Sequence, residues 1–305
     1  MSRLAPLELI VIAGPTASGK SALAVELALR MDAEILSADS QQVYRHFDIG
    51  TAKPTLEEQR GVRHHLISVV DPLEPFSAGQ YQRLADEAIR EIHGRGKPVL
   101  VVGGTGLYLR VLLHGVMHAP PVDATLRASL HQEAAQLGAD ALHRRLAQVD
   151  PVTAKMHPPS DVLRVVRALE LFLQTGRAAS VLRDEHRFGE ARYRHRFYVL
   201  QPAREDLYRA IDARTRGLYE SGLVEETRRL VEAGFRHTAP MKSVGYRQAL
   251  DVVEGRTLEG EAEASTAQQT RRYAKRQGTW FRGQANAQVL TPPYEEALEA
   301  VTRRL

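Results

Sequence analysis

The period of the apolar positions changes several times along the chain, and each change predicts an element. Residues 7–13 (LELIVIA) form an unbroken apolar run rich in β-branched side chains, the pattern of a strand buried on both faces. Residues 21–31 (SALAVELALRM) then read as a helix. A second buried strand is predicted at 33–38 (AEILSA), a third at 65–70 (HLISVV), closed by Asp71-Pro72, and a fourth at 98–102 (PVLVV). Between the last two, 77–93 has helical spacing and ends at Gly94-Arg95-Gly96. Strands alternating with helices predict an α/β architecture built on a parallel, doubly wound sheet. From about residue 119 to 194 the strand pattern is lost, and helical periods run over roughly 123–137, 139–149 and 161–174. In the last of these Val162, Val165, Val166, Leu169, Phe172 and Leu173 make one apolar stripe, with Arg164 and Arg167 on another face. Residues 196–200 (RFYVL) restore the strand pattern, followed by helices at about 205–220 and 224–233, a basic helix around 270–281 and a short amphipathic end after Pro292-Pro293. The expected organisation is a P-loop parallel sheet flanked by helices over 1–118 and 195–305, interrupted by an all-helical insertion over 119–194.

Between the first strand and the first helix lies Gly14-Pro15-Thr16-Ala17-Ser18-Gly19-Lys20-Ser21, which fills the pattern G-x-x-x-x-G-K-[ST] without a mismatch. The glycines let the backbone turn tightly and aim its N–H groups inward, the positive end of the helix dipole faces the same hollow, Lys20 adds a mobile charge and Ser21 offers a hydroxyl to Mg²⁺. Such a cradle holds two linked phosphates. Phosphoryl transfer would also want a carboxylate on the metal. Asp71 stands after an apolar run and could be that group, but an aspartate before proline is also an ordinary turn former. Asp39 follows the second strand, where ligands of parallel sheets bind, and three hydrogen-bonding side chains, Ser40, Gln41 and Gln42, come after it. It reads either as a functional acid or as the cap of a helix beginning at Ser40. Thr105, in the second glycine-rich turn Gly103-Gly104-Thr105-Gly106, is similarly placed, with a plain Thr turn as its alternative.

Composition narrows the class. Of 305 residues 43% are hydrophobic and 26% charged, so a globular protein is expected; no apolar run reaches bilayer length and there is no cysteine. The start, MSRLAPLELI, lacks the apolar core of a secretory signal, and a cytosolic protein is expected. The adjacent pair His64-His65 would point to opposite faces of a strand, which disfavours a metal site there. The net charge is only +4, but no acidic residue occurs from 264 to 294, where Arg271, Arg272, Lys275, Arg276 and Arg282 stand next to Tyr273, Trp280 and Phe281. Cations mixed with aromatics suit RNA, whose phosphates pair and whose bases stack; a solvated helix face is the alternative. At this level two functions remain open: a P-loop kinase of a small metabolite, and an RNA-binding module whose P-loop is only structural.

Taken together, GPTASGKS, Asp39 to Arg45 (DSQQVYR), Gly103 to Tyr108 (GGTGLY), Arg164 to Glu170 (RVVRALE), Lys242 to Gln248 (KSVGYRQ) and Tyr273 to Arg282 (YAKRQGTWFR) occur in an order that resembles the bacterial tRNA dimethylallyltransferases, also called isopentenyl-diphosphate:tRNA transferases. The resemblance covers nearly the whole chain. It departs at Leu163, where many relatives carry Gln, and the eukaryotic zinc-finger extension is absent. The resemblance implies transfer of a dimethylallyl group from its diphosphate to N6 of the adenosine 3′ to the anticodon in tRNA. The P-loop residues and Arg214 would then hold a leaving group, with Mg²⁺ on Ser21. Lys20, Asp39 and Thr105 would be catalytic: Lys20 on the pyrophosphate, Asp39 accepting the amine proton, and Thr105 beside the bridging oxygen or the base. It also implies tRNA contacts at Asp39, Ser40, Gln41, Gln42 and Thr105, at Arg127, Leu163, Arg164, Val165, Val166 and Arg167, at Lys242, Gly245, Tyr246, Arg247 and Gln248, and at Tyr273, Arg276 and Arg282. A basic run from 183 to 196 could follow the phosphate backbone. A monomer is the default expectation.

Overall fold

The computed structural model describes residues 8–117, 119–186, 191–284, 286–294, 299 and 301–302. The chain divides into two compact units, Met1–Leu113 with Ala191–Leu305, and His114–Glu190. The helical unit thus begins five residues before, and ends four residues before, the boundaries expected from the period change at 119–194.

In the first unit β1 (Glu8–Ala13), α1 (Lys20–Met31), β2 (Glu34–Ser37), α2 (Leu56–Gln59), β3 (His64–His65), α3 (Ala78–Gly94), β4 (Val99–Gly103) and α4 (Gly106–His114) come first. After the helical unit follow β5 (Arg194–Leu200) and, beyond four further helices, β6 (Ala287–Leu290). The strands form one sheet in the order β3-β2-β4-β1-β5-β6, every pair parallel. The unbroken apolar runs have a simple reason: both faces of the sheet are covered. In β1, Leu9, Val11 and Ala13 join the core that contains Tyr81, Ile89 and Ile92 of α3 and Leu109 and Leu112 of α4. The alternate residues Ile10 and Ile12 pack with Leu23, Leu27 and Ala28 of α1. Because β1 and β4 are neighbours in register, Ala13 opposite Gly103, their two glycine-rich turns emerge side by side at the carboxyl edge.

Two expectations need correction here. The third strand spans only His64–His65, because Leu66 and Ser68 take left-handed conformations (φ 61° and 54°) that no continuing strand allows. Residues 68–70 turn instead to the segment after Asp39, with Val69 N–H and Val70 N–H both donating to Val43 O. The basic helix is also longer than its charge pattern suggests. The four helices before β6 are α10 (Arg204–Glu220), α11 (Leu223–Glu232), α12 (Tyr246–Val253) and α13 (Glu259–Arg282). Of these, α12 and the strand β6 are short elements that periodicity did not pick out.

The helical unit contains α5 (Ala124–Leu137), α6 (Ala139–Val149), α7 (Pro151–Met156), α8 (Val162–Thr175) and α9 (Ala179–His186) around a core of its own. Asp123 caps α5 and Asp150 caps α7, each side chain accepting backbone N–H bonds of the first turn. The centre of the expected stripe on α8 is buried, with Val165, Val166 and Leu169 each 1% exposed, while Val162 and Phe172 are half-buried and Leu173 is exposed. The basic run 183–196 and the chain end after Pro293 fall partly outside the described residues. Among the described residues no helix is long and apolar enough to cross a membrane.

Candidate active site

The phosphate cradle forms where β1 stops. Ala17 (φ 62°) and Gly19 (φ 86°) turn the backbone, and a side chain at Gly14 would come within 2.9 Å of Ser18 Oγ and 3.0 Å of Leu200 O. Lys20 opens α1 and folds back over the loop, donating from Nζ to Pro15 O at 3.2 Å. Loss of water around its amine, reinforced by the Arg214 cation and opposed by Asp39, brings its pKa down to about 8. Ser21 is exposed at the same helix start.

Opposite stands the turn after β2. Asp39 Oδ1 accepts from Gln41 N–H at 2.8 Å and Gln42 N–H at 3.3 Å, and Oδ2 accepts no hydrogen bond among the described residues. Asp39 therefore does cap backbone, but of a turn and with one oxygen only. Thr105 Oγ1 accepts from Ser40 N–H at 3.0 Å and lies 3.4 Å from Ser40 Oγ, so the second glycine turn holds the Asp39 turn in place. The two turns pack so closely that a Cβ on Gly103 would stand 2.2 Å from Ala38 O. Gln42 is tied down by its amide, which donates to Thr51 O and Ala52 O.

One cleft of about 340 Å³ gathers Thr16, Lys20, Asp39, Ser40, Gln41, Arg214, Lys242, Tyr273, Arg276 and Gln277. Ser21 and Gln42 line a hollow that shares Lys20, Asp39 and Arg214 with it. The cleft is lined by four cations, Lys20, Arg214, Lys242 and Arg276, and among the described residues by one carboxylate, Asp39; Tyr273 forms an aromatic wall, and its ring carries the Arg276 guanidinium at 5.6 Å. Burial and the nearby Asp39 charge push the Tyr273 hydroxyl up to about 12, so it is a neutral hydrogen-bonding group. The donor set suits Mg²⁺ held mostly by a diphosphate: a hydroxyl at Ser21 and oxygen ligands from the substrate. Among the described residues no cluster of three His, Asp or Glu side chains could hold a metal unaided.

Other expected residues are placed elsewhere, and several are corrected. Val165 and Val166 are core residues of the helical unit, so their side chains cannot reach RNA. Tyr246 is fully buried: its hydroxyl donates to Glu226, accepts from Gly50 N–H at 3.1 Å, and thereby fastens the 48–50 turn to α11 and α12. Gln248 is buried too and accepts from Gly245 N–H at 3.0 Å, so Gly245 and Gln248 start a helix rather than face a ligand. Arg127 and Arg167 lie 2.6 and 3.0 Å from the buried carboxylate of Glu170. Arg164 pairs with Asp161 and is two-thirds exposed, and Leu163 beside it is 74% exposed. Arg247 faces solvent, and Arg282 lines a second cleft with Arg204, Tyr208 and Lys275. Asp71 Oδ1 accepts from Leu73 N–H at 2.9 Å, a turn, away from the cradle cleft. His65 Nε2 is paired with Glu34 and His64 Nδ1 donates to Val62 O, so the two rings do not converge.

Gln277 lines the cleft, and sequence reasoning passed over it. Its only signal is position: a lone amide three residues after Ala274 and four before Phe281, on the buried stripe of α13.

Residues 42–284 match the family model described as IPP transferase. The chain is 62% identical to the tRNA dimethylallyltransferase of Myxococcus xanthus over 290 residues, covering 95% of this chain and 94% of that one. It is 47% identical to that of Anaeromyxobacter sp. (strain K) over 98% of this chain and 97% of the relative. Among solved structures it resembles the full-length tRNA isopentenylpyrophosphate transferase of Bacillus halodurans, with 37% identity and a TM-score of 0.71 over 97% of this chain and 95% of that one. It also resembles a eukaryotic dimethylallyltransferase acting on tRNA, with 26% identity and a TM-score of 0.81 over 98% of this chain and 77% of that one.

Proposed function

Because this chain belongs to the IPP transferase family, we propose that it is a tRNA dimethylallyltransferase. It moves the five-carbon group of dimethylallyl diphosphate to N6 of the adenosine 3′ to the anticodon and releases diphosphate. The observation that carries this reading is the cleft in which Lys20 and Arg214 face Asp39, with the other candidate carboxylate, Asp71, spent on a turn. A kinase would need that second carboxylate on its metal.

The chemistry follows from the charges. As the allylic C–O bond breaks, negative charge grows on pyrophosphate, and the α1 dipole with Lys20 and Arg214, which line the cleft, stabilises it. Bound Mg²⁺, held by Ser21 and the diphosphate oxygens, would add positive charge at the same place. The adenine amine is a poor nucleophile because its lone pair is delocalised into the ring. Asp39 accepts its proton through the unoccupied Oδ2 while Oδ1 stays pinned by the turn. An adenine inside an anticodon stack cannot reach a recessed carboxylate, so the base is flipped out. Tyr273 and Arg276 offer it a stacking surface and a cation, and Lys242 a phosphate contact. Arg164 and Leu163, exposed on the helical unit, are available for further RNA contact. The chain's cysteine-free composition suits a reducing cytoplasm.

The test is direct. Incubated with Mg²⁺, dimethylallyl diphosphate and unmodified tRNA, the protein adds one prenyl mass to the tRNA and needs no ATP. An unchanged tRNA mass, or saturable ATP binding with ADP formation, would overturn the proposal.

A further inference from the structure

The leaving-group cradle and the base-bearing turn lie on different strands, and one side chain joins them. Gln277 Oε1 accepts from Thr16 N–H of the P-loop at 2.9 Å, and its Nε2 donates to Gly104 O of the second glycine turn at 3.0 Å. The side chain is 7% exposed and both ends of its amide are used. A polar residue on a helix's buried stripe is costly unless satisfied in this way. The approach is tight: a Cβ on Gly104 would stand 2.4 Å from Gln277 Nε2. From Gly104 the linkage continues by covalent bond to Thr105 and by hydrogen bond to Ser40 N–H, next to Asp39. Trp280, one turn further along α13, packs against Gly106 on the other side of Thr105.

We propose that Gln277 is a positioning residue that sets the distance between the pyrophosphate cradle and Asp39. The inference rests on the transferase reading above. In-line displacement at carbon needs the departing oxygen and the proton acceptor on opposite sides of the reacting atom, a separation that neither loop can fix alone. The glutamine is suited to the task because it accepts from one loop and donates to the other. A carboxylate could satisfy only the first, and an apolar side chain neither.

That asymmetry supplies the test. Gln277→Leu and Gln277→Glu are compared with the native protein for kcat and KM toward dimethylallyl diphosphate between pH 5.5 and 8.5. Pyrophosphate affinity is measured by calorimetry, and folding by thermal unfolding. Gln277→Leu should lower kcat by about 10²-fold, the scale of a misplacement of around 1 Å, with a much smaller change in KM. Gln277→Glu should resemble it at high pH and recover as pH falls, because a protonated carboxyl again donates to Gly104 O. Lys20, Asp39, Arg214, Lys242, Tyr273 and Arg276 face the same cleft, so each rate is divided by the native rate at that pH. Gln277→Leu within twofold of native would overturn the inference. So would a Gln277→Glu profile parallel to that of Gln277→Leu, or losses that match the unfolded fraction. A native protein without transferase activity would refute the transferase reading instead, with pyrophosphate binding still measurable.

Discussion

Lys20 and Arg214 are two cations sharing one cleft, so each makes the other harder to hold charged until an anion arrives. With its pKa drawn down to about 8, Lys20 loses its charge in the free protein as pH rises above that point. Pyrophosphate affinity measured by calorimetry should therefore fall between pH 7.5 and 9.5, and Lys20→Met should weaken binding and remove that slope. The same shift has a stability sign. The folded pKa lies below the unfolded value of 10.5, so the unfolded chain binds more protons between about 8 and 10.5. Stability gains from this group as pH rises through that window, and Lys20→Met should abolish the gain in urea unfolding. Asp39→Asn keeps an oxygen for Gln41 N–H and Gln42 N–H but cannot take a proton. Its kcat should drop by ~10²–10⁴-fold while pyrophosphate affinity is kept or tightened, since a negative charge has left the cleft.

At the scale of elements, the active turns are held by the backs of helices as much as by their own loops. Trp280 of α13 lies against Gly106, where a Cβ would meet its ring at 2.4 Å. Gly106→Ala should cost about 1–3 kcal/mol in urea unfolding by overpacking, and it should lower kcat because Thr105 moves with the turn. Tyr246 does comparable work from α12. Tyr246→Phe removes the hydroxyl's bond to the Glu226 carboxylate, which keeps only its bonds from the N–H groups of residues 48–50, a loss of about 1–3 kcal/mol. An unchanged denaturation midpoint would show that the KSVGYRQ segment is not the scaffold described here.

Across the whole molecule, each unit carries a buried carboxylate that makes it acid-sensitive. In the sheet unit the Arg95 guanidinium, aided by His65 and opposed by burial, brings Glu34 down to about 2. In the helical unit burial pushes Glu170 up, but Arg127 and Arg167 outweigh it and leave a net lowered value. For both, the folded pKa is below the unfolded one, so their stabilisation is full above the ordinary carboxylate range and is lost as pH falls through the folded pKa. For Glu34 that window runs from about 4.5 down to about 2. Hydrogen exchange read unit by unit should show Glu34→Gln flattening acid sensitivity in residues 8–113 and Glu170→Gln doing so only within 119–186. Exchange that changes equally in both units for either substitution would refute this independence.

The local order of residues determined the cradle, the strand and helix beside it, the sheet's class and the presence of a helical insertion, because each depends on period and spacing within a short window. A P-loop flanked by LELIVIA and an alanine-rich helix needs no distant partner to be recognised. Which side chains face the cleft was decided only by tertiary packing. Val165, Val166, Tyr246 and Gln248 lie in motifs that look functional and serve as core, since burial depends on what a neighbouring element covers. Residues 66–70 did not continue a strand because left-handed backbone at Leu66 and Ser68 sent them to another partner. Gln277 was invisible for the same reason in reverse. Its two hydrogen-bond partners lie 261 and 173 residues away along the chain, a distance that only the fold closes.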